Sequence, residues 1–186
     1  MSKKVLIVYG TRYGATGSTS QEIAKVLREA GIDITVINAG KEKAGDISAY
    51  DMVIVGSGMQ MGKWTGVAED FLKKYKKELS EKKAAIFVSS AAEAMMKYDN
   101  NTEELEKIRK QYLEDKAVLY GLNPLSMVIF GGVWDYNKMS FIFRKTMSPF
   151  KIKIEEAGFK EVELGLYDTR DWDVIRNWAQ DIASKV

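Results

Sequence analysis

The chain has 186 residues, 46% of them hydrophobic, and a formal net charge of +2. This size and composition suffice to bury the core of one domain, and we predict a single domain over residues 1–186. The chain contains no cysteine and no histidine, which excludes disulfides, thiolate nucleophiles, iron–sulfur ligation by the protein and the usual zinc sites. Any redox chemistry must therefore come from a cofactor. We predict no metal site and assign no catalytic residue.

The beginning of the chain predicts its compartment. Two lysines lead from Met1 into the apolar run that starts at Val5, and this stretch is too short for a signal peptide. No run approaches the roughly 20 apolar residues that span a bilayer. We therefore expect a cytoplasmic protein whose membrane contact, if any, is peripheral. The small net charge does not indicate a nucleic-acid partner, and we predict none; the oligomeric state stays open.

Short apolar runs alternate with segments of helical period along the chain. The runs are rich in branched residues, as strands buried on both faces are, and they cover residues 5–9, 32–37, 52–55, 84–88 and 127–130. The helical segments between and after them carry apolar stripes centred near residues 23–30, 67–75, 105–113 and 175–182. Asp171 is placed to cap the last helix, Thr102 to open the third, and Ser148 with Pro149 to open a short one.

This alternation predicts an α/β protein with a three-layer, doubly wound architecture and a parallel sheet of about five strands. Ligands of such sheets bind beyond the carboxyl ends of the strands, where the winding reverses. The residues that directly follow the strands are therefore the candidates for a site. They are residues 10–20, 56–64 and 89–98.

Residues 10–20 form a hydroxyl-rich turn, punctuated by glycine, that leads into a helix. Glycine allows successive backbone N–H groups to point inward, hydroxyls add donors, and the helix dipole favours an anion, so this loop fits a phosphate. The alternative is an ordinary loop with good capping residues. The loop lacks both G-x-G-x-x-G and G-x-x-x-x-G-K-[ST], the patterns of dinucleotide and nucleoside-triphosphate sites. A phosphoacceptor receiver domain would need acidic residues that these strand ends lack.

The pattern Thr11-x-x-Gly14-x-Thr16 after an apolar strand resembles the phosphate loop of flavodoxins. The run from Gly10 to Gly14 more closely resembles the branch of flavodoxin-like, menaquinone-dependent protoporphyrinogen oxidases. This resemblance implies a flavodoxin-like fold with strand order 2-1-3-4-5 and FMN as the cofactor. It also implies that the FMN phosphate is held by Thr11, Arg12, Tyr13, Gly14, Ala15 and Thr16. About one extra helical turn precedes Glu22, so either Thr16 or Thr19 is the deepest ligand.

The second loop resembles the flavin-ring loop of the same family. A bound ring needs flat or polarizable side chains on its faces and glycine where backbone approaches its edge. The resemblance implies ring contacts from Ser57, Gly58, Met59, Gln60, Met61, Gly62 and Trp64. Trp64 stands where an aromatic side chain often stacks on the ring. The alternative is that Met59, Met61 and Trp64 pack beneath the next helix.

The third loop offers polar groups at the matching strand end. Ser89, Ser90 and Ala91 follow the fourth apolar run, where hydroxyl and backbone groups can bind the polar edge of a flavin. The rest of residues 89–98 is unspecific, because an ordinary loop leading into a helix has the same composition.

Residues 134–158 are predicted to be a basic and aromatic insertion. Within residues 136–154, lysines and arginines alternate with methionines and aromatic residues, and there is no acidic residue. Such a segment fits peripheral contact with an anionic membrane or with an acidic partner. The alternative is a helix that packs on its own domain and exposes a basic rim.

Three functions follow from these observations. We expect an FMN-binding, flavodoxin-like protein that transfers electrons to or from a redox protein or a small-molecule donor or acceptor. The first alternative is a flavin-dependent oxidoreductase that dehydrogenates protoporphyrinogen, or a similar reduced compound, and passes electrons to a quinone. The second is a cofactor-free binding module on the same fold. Whether the protein is an enzyme is left open.

Overall fold

The computed structural model describes residues 2–186, except for the side chains of Phe143 and Ser148. Within that range the main sheet has five parallel strands in the order β2-β1-β3-β4-β5. The strands are β1 (Lys4–Gly10), β2 (Asp33–Asn38), β3 (Met52–Gly58), β4 (Lys83–Ser89) and β5 (Ser126–Phe130). The α/β class and the strand order predicted from the sequence are confirmed.

The register of the strands brings the candidate loops to one edge of the sheet. Gly10 at the end of β1 pairs with Ser57, and Gly58 at the end of β3 pairs with Ser89. Every residue of β3 is buried, as expected for a central strand with both faces covered. The residues that follow β1, β3 and β4 are therefore neighbours in space.

Helices cover both faces of the main sheet. They are α1 (Ala15–Glu29), α2 (Gly66–Lys74), α3 (Lys76–Ser80), α4 (Ala91–Tyr98), α5 (Thr102–Arg109), α6 (Asp115–Tyr120), α7 (Phe141–Thr146), α8 (Ser148–Glu156) and α9 (Trp172–Ala183). Leu6 and Val8 of β1 pack with α2, α3, α5 and α6 on one face. Val5 and Ile7 pack with α1 and α9 on the other. This alternation follows from the two-residue period of a strand.

The residues at the helix ends can be compared with those predicted from the sequence. Asp171 caps α9 as predicted, because its Oδ1 accepts the N–H groups of Asp173 and Val174. α5 begins at Thr102 as predicted, and its N-cap is the preceding Asn101, whose side chain accepts the N–H of Glu104 at 3.0 Å. A π-helical turn, Lys110–Glu114, then joins α5 to α6. The third candidate loop is shorter than predicted, because α4 already begins two residues after β4 ends.

A second, antiparallel sheet was not predicted. It contains β6 (Val133–Asp135), β7 (Glu161–Glu163) and β8 (Leu166–Asp168), in the order β6-β8-β7. Tyr136, Met139, Ile154 and Tyr167 form a small buried cluster that holds α8 against this sheet. The limits of the predicted insertion at residues 134–158 remain a prediction. No helix within residues 2–186 has the length and apolar character needed to cross a membrane.

Tyr167 ties α8 to the second sheet through its hydroxyl group. The hydroxyl lies 2.5 Å from Glu155 Oε1 and 3.0 Å from Glu161 Oε1, and its single proton is shared between these acceptors. Lys151 pairs with Glu161 at 2.9 Å and balances part of the negative charge. Burial, followed by the hydrogen bonds to the two carboxylates, raises the pKa of Tyr167. This phenol therefore stays neutral and serves as a donor.

Candidate functional site

A cavity of about 280 Å³ lies beyond the carboxyl ends of β1, β3 and β4. Most of the predicted site residues line it. They are Thr11, Arg12, Tyr13, Ala15, Thr16, Gly58, Met59, Gln60, Met61, Gly62, Ser89, Ser90 and Ala91. The three predicted residues that do not line it are Gly14, Ser57 and Trp64.

The first loop turns directly into the N-terminus of α1. Gly14 occupies the N-cap position with φ of 101°, which glycine adopts without the steric cost that a side chain would add. Its N–H donates to Thr11 Oγ1 at 3.0 Å, which closes the turn. Gly14 therefore shapes this side of the cavity without lining it. The first N–H groups of a helix have no partner within the helix, so this end attracts an anion.

Two buried hydroxyl groups of the cavity have no hydrogen-bond partner among the residues that the structure describes. Thr16 is 1% exposed and Ser89 is 5% exposed, and both line the cavity. A buried hydroxyl without a partner costs about 1–3 kcal/mol, so a polar ligand would relieve a cost that the protein carries at both positions. Thr19 Oγ1 is also buried and unpaired, but Thr19 does not line the cavity.

The second loop is a tight hairpin between Gln60 and Lys63. The backbone N–H of each residue donates to the carbonyl of the other, at 3.2 and 3.1 Å. Met61 and Gly62 between them have φ of 50° and 73°, as in a type I′ turn. The Gln60 side chain also donates to the Tyr13 hydroxyl at 3.1 Å. This hydrogen bond joins the first loop to the second.

Gly58 stands where the first two loops approach most closely. A Cβ atom at this position would lie 3.0 Å from Thr16 Oγ1 and 3.7 Å from the Arg12 backbone nitrogen. A larger residue would press on the Thr16 hydroxyl, so the glycine leaves room for that group.

Ser57 and Trp64 hold the second loop from beneath. The Ser57 hydroxyl accepts the N–H of Thr65 at 2.9 Å and is fully buried. Trp64 is 2% exposed, and its indole N–H donates to the carbonyl of Tyr112 at 2.8 Å. Trp64 therefore packs in the core, which was the alternative to stacking on a flavin ring. It is not among the residues that line the cavity.

Other parts of the chain supply lining residues that the sequence did not indicate. They are Ala92, Tyr112, Gly132, Val133, Trp134, Met139, Met147 and Phe150. Gly132 lies two residues after the end of β5, at the same edge of the sheet, and its double glycine with Gly131 is the signal that could have indicated it. A Cβ atom on Gly131 would lie 2.0 Å from the Thr169 carbonyl oxygen. Tyr112 comes from the π-helical turn after α5, and Trp134 comes from the second sheet. The sequence indicates residues 136–154 as a basic and aromatic segment, but nothing in it shows that Met139, Met147 and Phe150 reach the cavity.

The charges at the cavity favour an anion. Among the described residues that line it, Arg12 is the only charged one. Its guanidinium donates to the Trp64 carbonyl at 3.3 Å, which holds it between the first two loops. Arg170 lies behind α1, where it donates to the Ala15 carbonyl at 3.2 Å, but Asp168 neutralises it. No group of acidic residues that could hold a metal ion occurs within residues 2–186.

Comparison with known proteins agrees with this geometry. Residues 6–160 match the family described as "Flavodoxin domain". The chain belongs to this family. The flavodoxin-like resemblance recognised in the first loop is thereby confirmed.

One protein with a similar sequence and two solved structures with a similar fold show how much of the chain can be compared. A protein of Escherichia coli strain K12 named protoporphyrinogen IX dehydrogenase (quinone) is 24% identical over 97% of this chain and 94% of its own length. A flavodoxin of Streptococcus pneumonia TIGR4 superimposes with a TM-score of 0.56 at 18% identity, covering 98% of this chain and 99% of that one. A flavodiiron core from Synechocystis sp. PCC6803 gives 0.53 at 20% identity; the match covers 70% of this chain but only 30% of that one.

Proposed function

We propose that this flavodoxin-family protein binds FMN in the cavity and transfers electrons through it to or from a redox partner. The pair of buried, unpaired hydroxyl groups on Thr16 and Ser89 carries this proposal. Thr16 lies in the first turn of α1 and Ser89 is the last residue of β4, and a polar ligand would satisfy both hydroxyl groups. The match of the family over residues 6–160 supports the same ligand.

The proposed roles of the three loops follow from their chemistry. The phosphate binds at the N-terminus of α1, where Thr11, Arg12 and Thr16 add two hydroxyls and a positive charge to the backbone N–H groups. The second loop provides backbone and polarizable side chains around Gly58 for the ring. Ser89 and Ser90 provide hydroxyls for its polar edge. FMN, when bound, supplies the electron chemistry that the side chains of this chain lack.

The phosphate assignment is tested with FMN and with riboflavin, which lacks the phosphate. We expect Thr16→Val to raise the Kd for FMN about tenfold or more, since a hydrogen bond to a charged group is lost. The Kd for riboflavin should stay unchanged. Titration of cofactor-free protein, followed by flavin absorbance, measures both constants.

Thr19→Val is the matched control for this experiment. It removes an equally buried and unpaired hydroxyl that does not line the cavity, so FMN affinity should equal that of the parent. If Thr19→Val binds FMN more weakly than Thr16→Val does, then Thr19 and not Thr16 is the residue that binds the phosphate. A parent protein that binds neither flavin would contradict the proposal and support the cofactor-free binding module.

A specific observation favours a second candidate, an enzyme that oxidises protoporphyrinogen or a similar compound. The Escherichia coli relative of that name aligns with 97% of this chain, and the cavity extends to an apolar wall that includes Met139 and Met147. FMN-loaded protein would be mixed anaerobically with protoporphyrinogen IX and a quinone, and porphyrin fluorescence would be followed. Each protoporphyrin formed requires the removal of six electrons, whereas one FMN or one quinone accepts two. Repeated turnover, with three quinones reduced per porphyrin, supports the enzyme; porphyrin that stays below about one third of an equivalent per protein supports the electron carrier.

We also propose that α7 contacts an anionic membrane surface. Phe141 and Ile142 are each 79% exposed, and the exposed Arg144 and Lys145 follow them on the same helix. The basic side chains complement anionic headgroups, and the apolar pair can enter the interface. The neighbouring α8 instead packs on the domain, because its Ile154 is fully buried. The predicted cytoplasmic location remains a prediction.

Vesicle sedimentation tests this contact. We expect binding to vesicles that contain phosphatidylglycerol and none to pure phosphatidylcholine. The double change Phe141→Ser and Ile142→Ser should weaken binding severalfold. Val118→Ser with Leu119→Ser is the matched control, because these residues are 82% and 57% exposed but lie on α6, whose Lys116 is already paired with Glu69. Equal binding of both double variants would contradict the role of α7.

A further inference from the structure

The four tryptophans of the chain differ in their relation to the cavity. Trp64 and Trp178 are 2% and 9% exposed and belong to the two main cores. Trp172 packs under the Arg170 guanidinium at the start of α9, 4.3 Å from its ring centroid. Trp134 lines the cavity, and it is the only tryptophan that does so. The loops that follow β1, β3 and β4 therefore contribute no indole to the cavity.

Trp134 is held in place by packing on several sides. It lies on β6, where it pairs with Tyr167 of β8. Its ring stacks on Phe150 of α8, with centroids 5.8 Å apart and an angle of 23° between the planes. The Tyr136 ring lies 5.9 Å away at 57°. Because neighbours restrain it, the Trp134–Phe150 pair forms a rigid aromatic wall rather than a mobile cover.

The remaining lining residues give a planar ligand little aromatic contact. The third loop presents Ser90, Ala91 and Ala92, which carry no ring. Tyr112 is 8% exposed and packs in the core cluster. Tyr13 belongs to the phosphate loop, where its hydroxyl accepts a hydrogen bond from Gln60.

We propose that Trp134, backed by Phe150, is the aromatic side chain that packs against the flavin ring of FMN. The inference rests on the proposed FMN binding and deepens it, because it assigns the ring contact to the second sheet and α8 rather than to Trp64. Offset or tilted packing of an indole on a flat heterocycle combines burial of apolar area with favourable electrostatics. The cavity wall places Trp134 where this contact can form.

Fluorescence of the bound flavin tests the contact directly. An indole in contact with a flavin quenches its emission by donating an electron to the excited ring, and this quenching falls steeply with distance. We expect Trp134→Phe to raise the emission of bound FMN severalfold relative to the parent. Trp134→Ala should in addition raise the Kd for FMN about tenfold, because the packed ring is removed.

Two matched variants isolate the effect of Trp134. Trp64→Phe and Trp178→Phe each remove one buried indole, and bound FMN should remain as strongly quenched in both as in the parent. Loss of quenching in Trp64→Phe would overturn the inference. This measurement remains informative even if the Trp134 variants fail to fold. Parent-like quenching in Trp134→Phe would also overturn it.

The failure of the inference and the failure of FMN binding give different results. A parent protein that binds FMN, together with a Trp134→Phe variant that matches it in emission and affinity, overturns the ring contact alone. A parent that leaves the fluorescence of added FMN unchanged and retains no flavin on gel filtration overturns both proposals.

Discussion

At the residue scale, close backbone approaches explain several glycines and make them testable. A Cβ atom on Gly131 would lie 2.0 Å from the Thr169 carbonyl oxygen, an atom of the backbone that cannot rotate away. We expect Gly131→Ala to lower the free energy of unfolding by about 2–3 kcal/mol, as overpacking does. Urea denaturation followed by circular dichroism measures this change.

Gly45→Ala is the control for Gly131→Ala. A Cβ atom on Gly45 would meet no other atom within 4 Å, so only the unfolded chain changes. We expect the free energy of unfolding of Gly45→Ala to equal that of the parent or to exceed it by up to about 1 kcal/mol. A similar loss in both variants would mean that helix or loop flexibility, and not the contact with Thr169, determines the result.

Sequence reasoning at this scale found the residues whose chemistry is local. That Thr16 lines the cavity could be predicted because hydroxyls at a helix N-terminus favour an anion in any fold, although the sequence left Thr16 and Thr19 as alternatives for the deepest ligand. Trp64 could not be resolved, since an indole after a strand serves equally well for packing or for stacking. Its hydrogen bond to Tyr112, 48 residues away, decides between these positions, and no local pattern contains that information.

At the element scale, α9 depends on its cap and its apolar stripe. Asp171 accepts two backbone N–H groups, and Ile175, Ala179 and Ile182 are fully buried against the sheet. We expect Asp171→Ala to lower the free energy of unfolding by about 1 kcal/mol. Asp181→Ala, which removes only an ion pair with Lys185 at the other end of the helix, should change it by less than about 0.5 kcal/mol. Equal losses would contradict the cap.

Asp51 links the beginnings of β1 and β3 and makes this contact sensitive to pH. Its Oδ2 accepts the N–H of Lys4 at 2.8 Å, and this hydrogen bond is the main cause that lowers the pKa of Asp51. A lowered pKa stabilises the folded state above the pKa of the unfolded chain, and the contribution is lost as the pH falls below about 4. Titration of the carboxyl by NMR should give a pKa below that of an ordinary aspartate. In Asp51→Asn this contribution is absent, so the free energy of unfolding should fall less than that of the parent as the pH decreases below about 4.

The elements differ in how well the sequence predicted them. The strands of the main sheet are long enough to be seen as buried, branched runs, and the stripe of α9 has a clear helical period. The strands β6, β7 and β8 have three residues each, too few for an alternating pattern to appear. The start of α4 falls within the predicted third loop, because its first residues, Ala91 and Ala92, form no strong apolar stripe.

At the scale of the whole molecule, ligand binding and stability are coupled. If FMN binds the folded state and not the unfolded chain, mass action stabilises the protein by about 2.7 kcal/mol at a free concentration 100 times the Kd. We expect the Tm to rise steadily with FMN concentration, and to rise less with riboflavin. A Tm that is independent of FMN would contradict binding to the native state.

The architecture could be predicted at this scale, whereas the complete cavity could not. Alternating elements and right-handed crossovers leave few topologies, and the order 2-1-3-4-5 is among them. The wall formed by Trp134 and Phe150 depends on the docking of a second sheet, which follows from many weak contacts distributed along the chain. Only the double glycine at Gly131 and Gly132 could have indicated the place where the chain passes from the first sheet to the second.

The pairing of Val133 with Asp168 has a consequence for biosynthesis. The three loops proposed to hold the phosphate and the ring leave the ribosome well before β8, yet Trp134 obtains its partner Tyr167 only when β8 has been translated. A nascent chain that ends before β8 therefore lacks the strand that pairs with Trp134. If FMN binds as proposed, its complete site forms only after nearly the entire polypeptide has emerged.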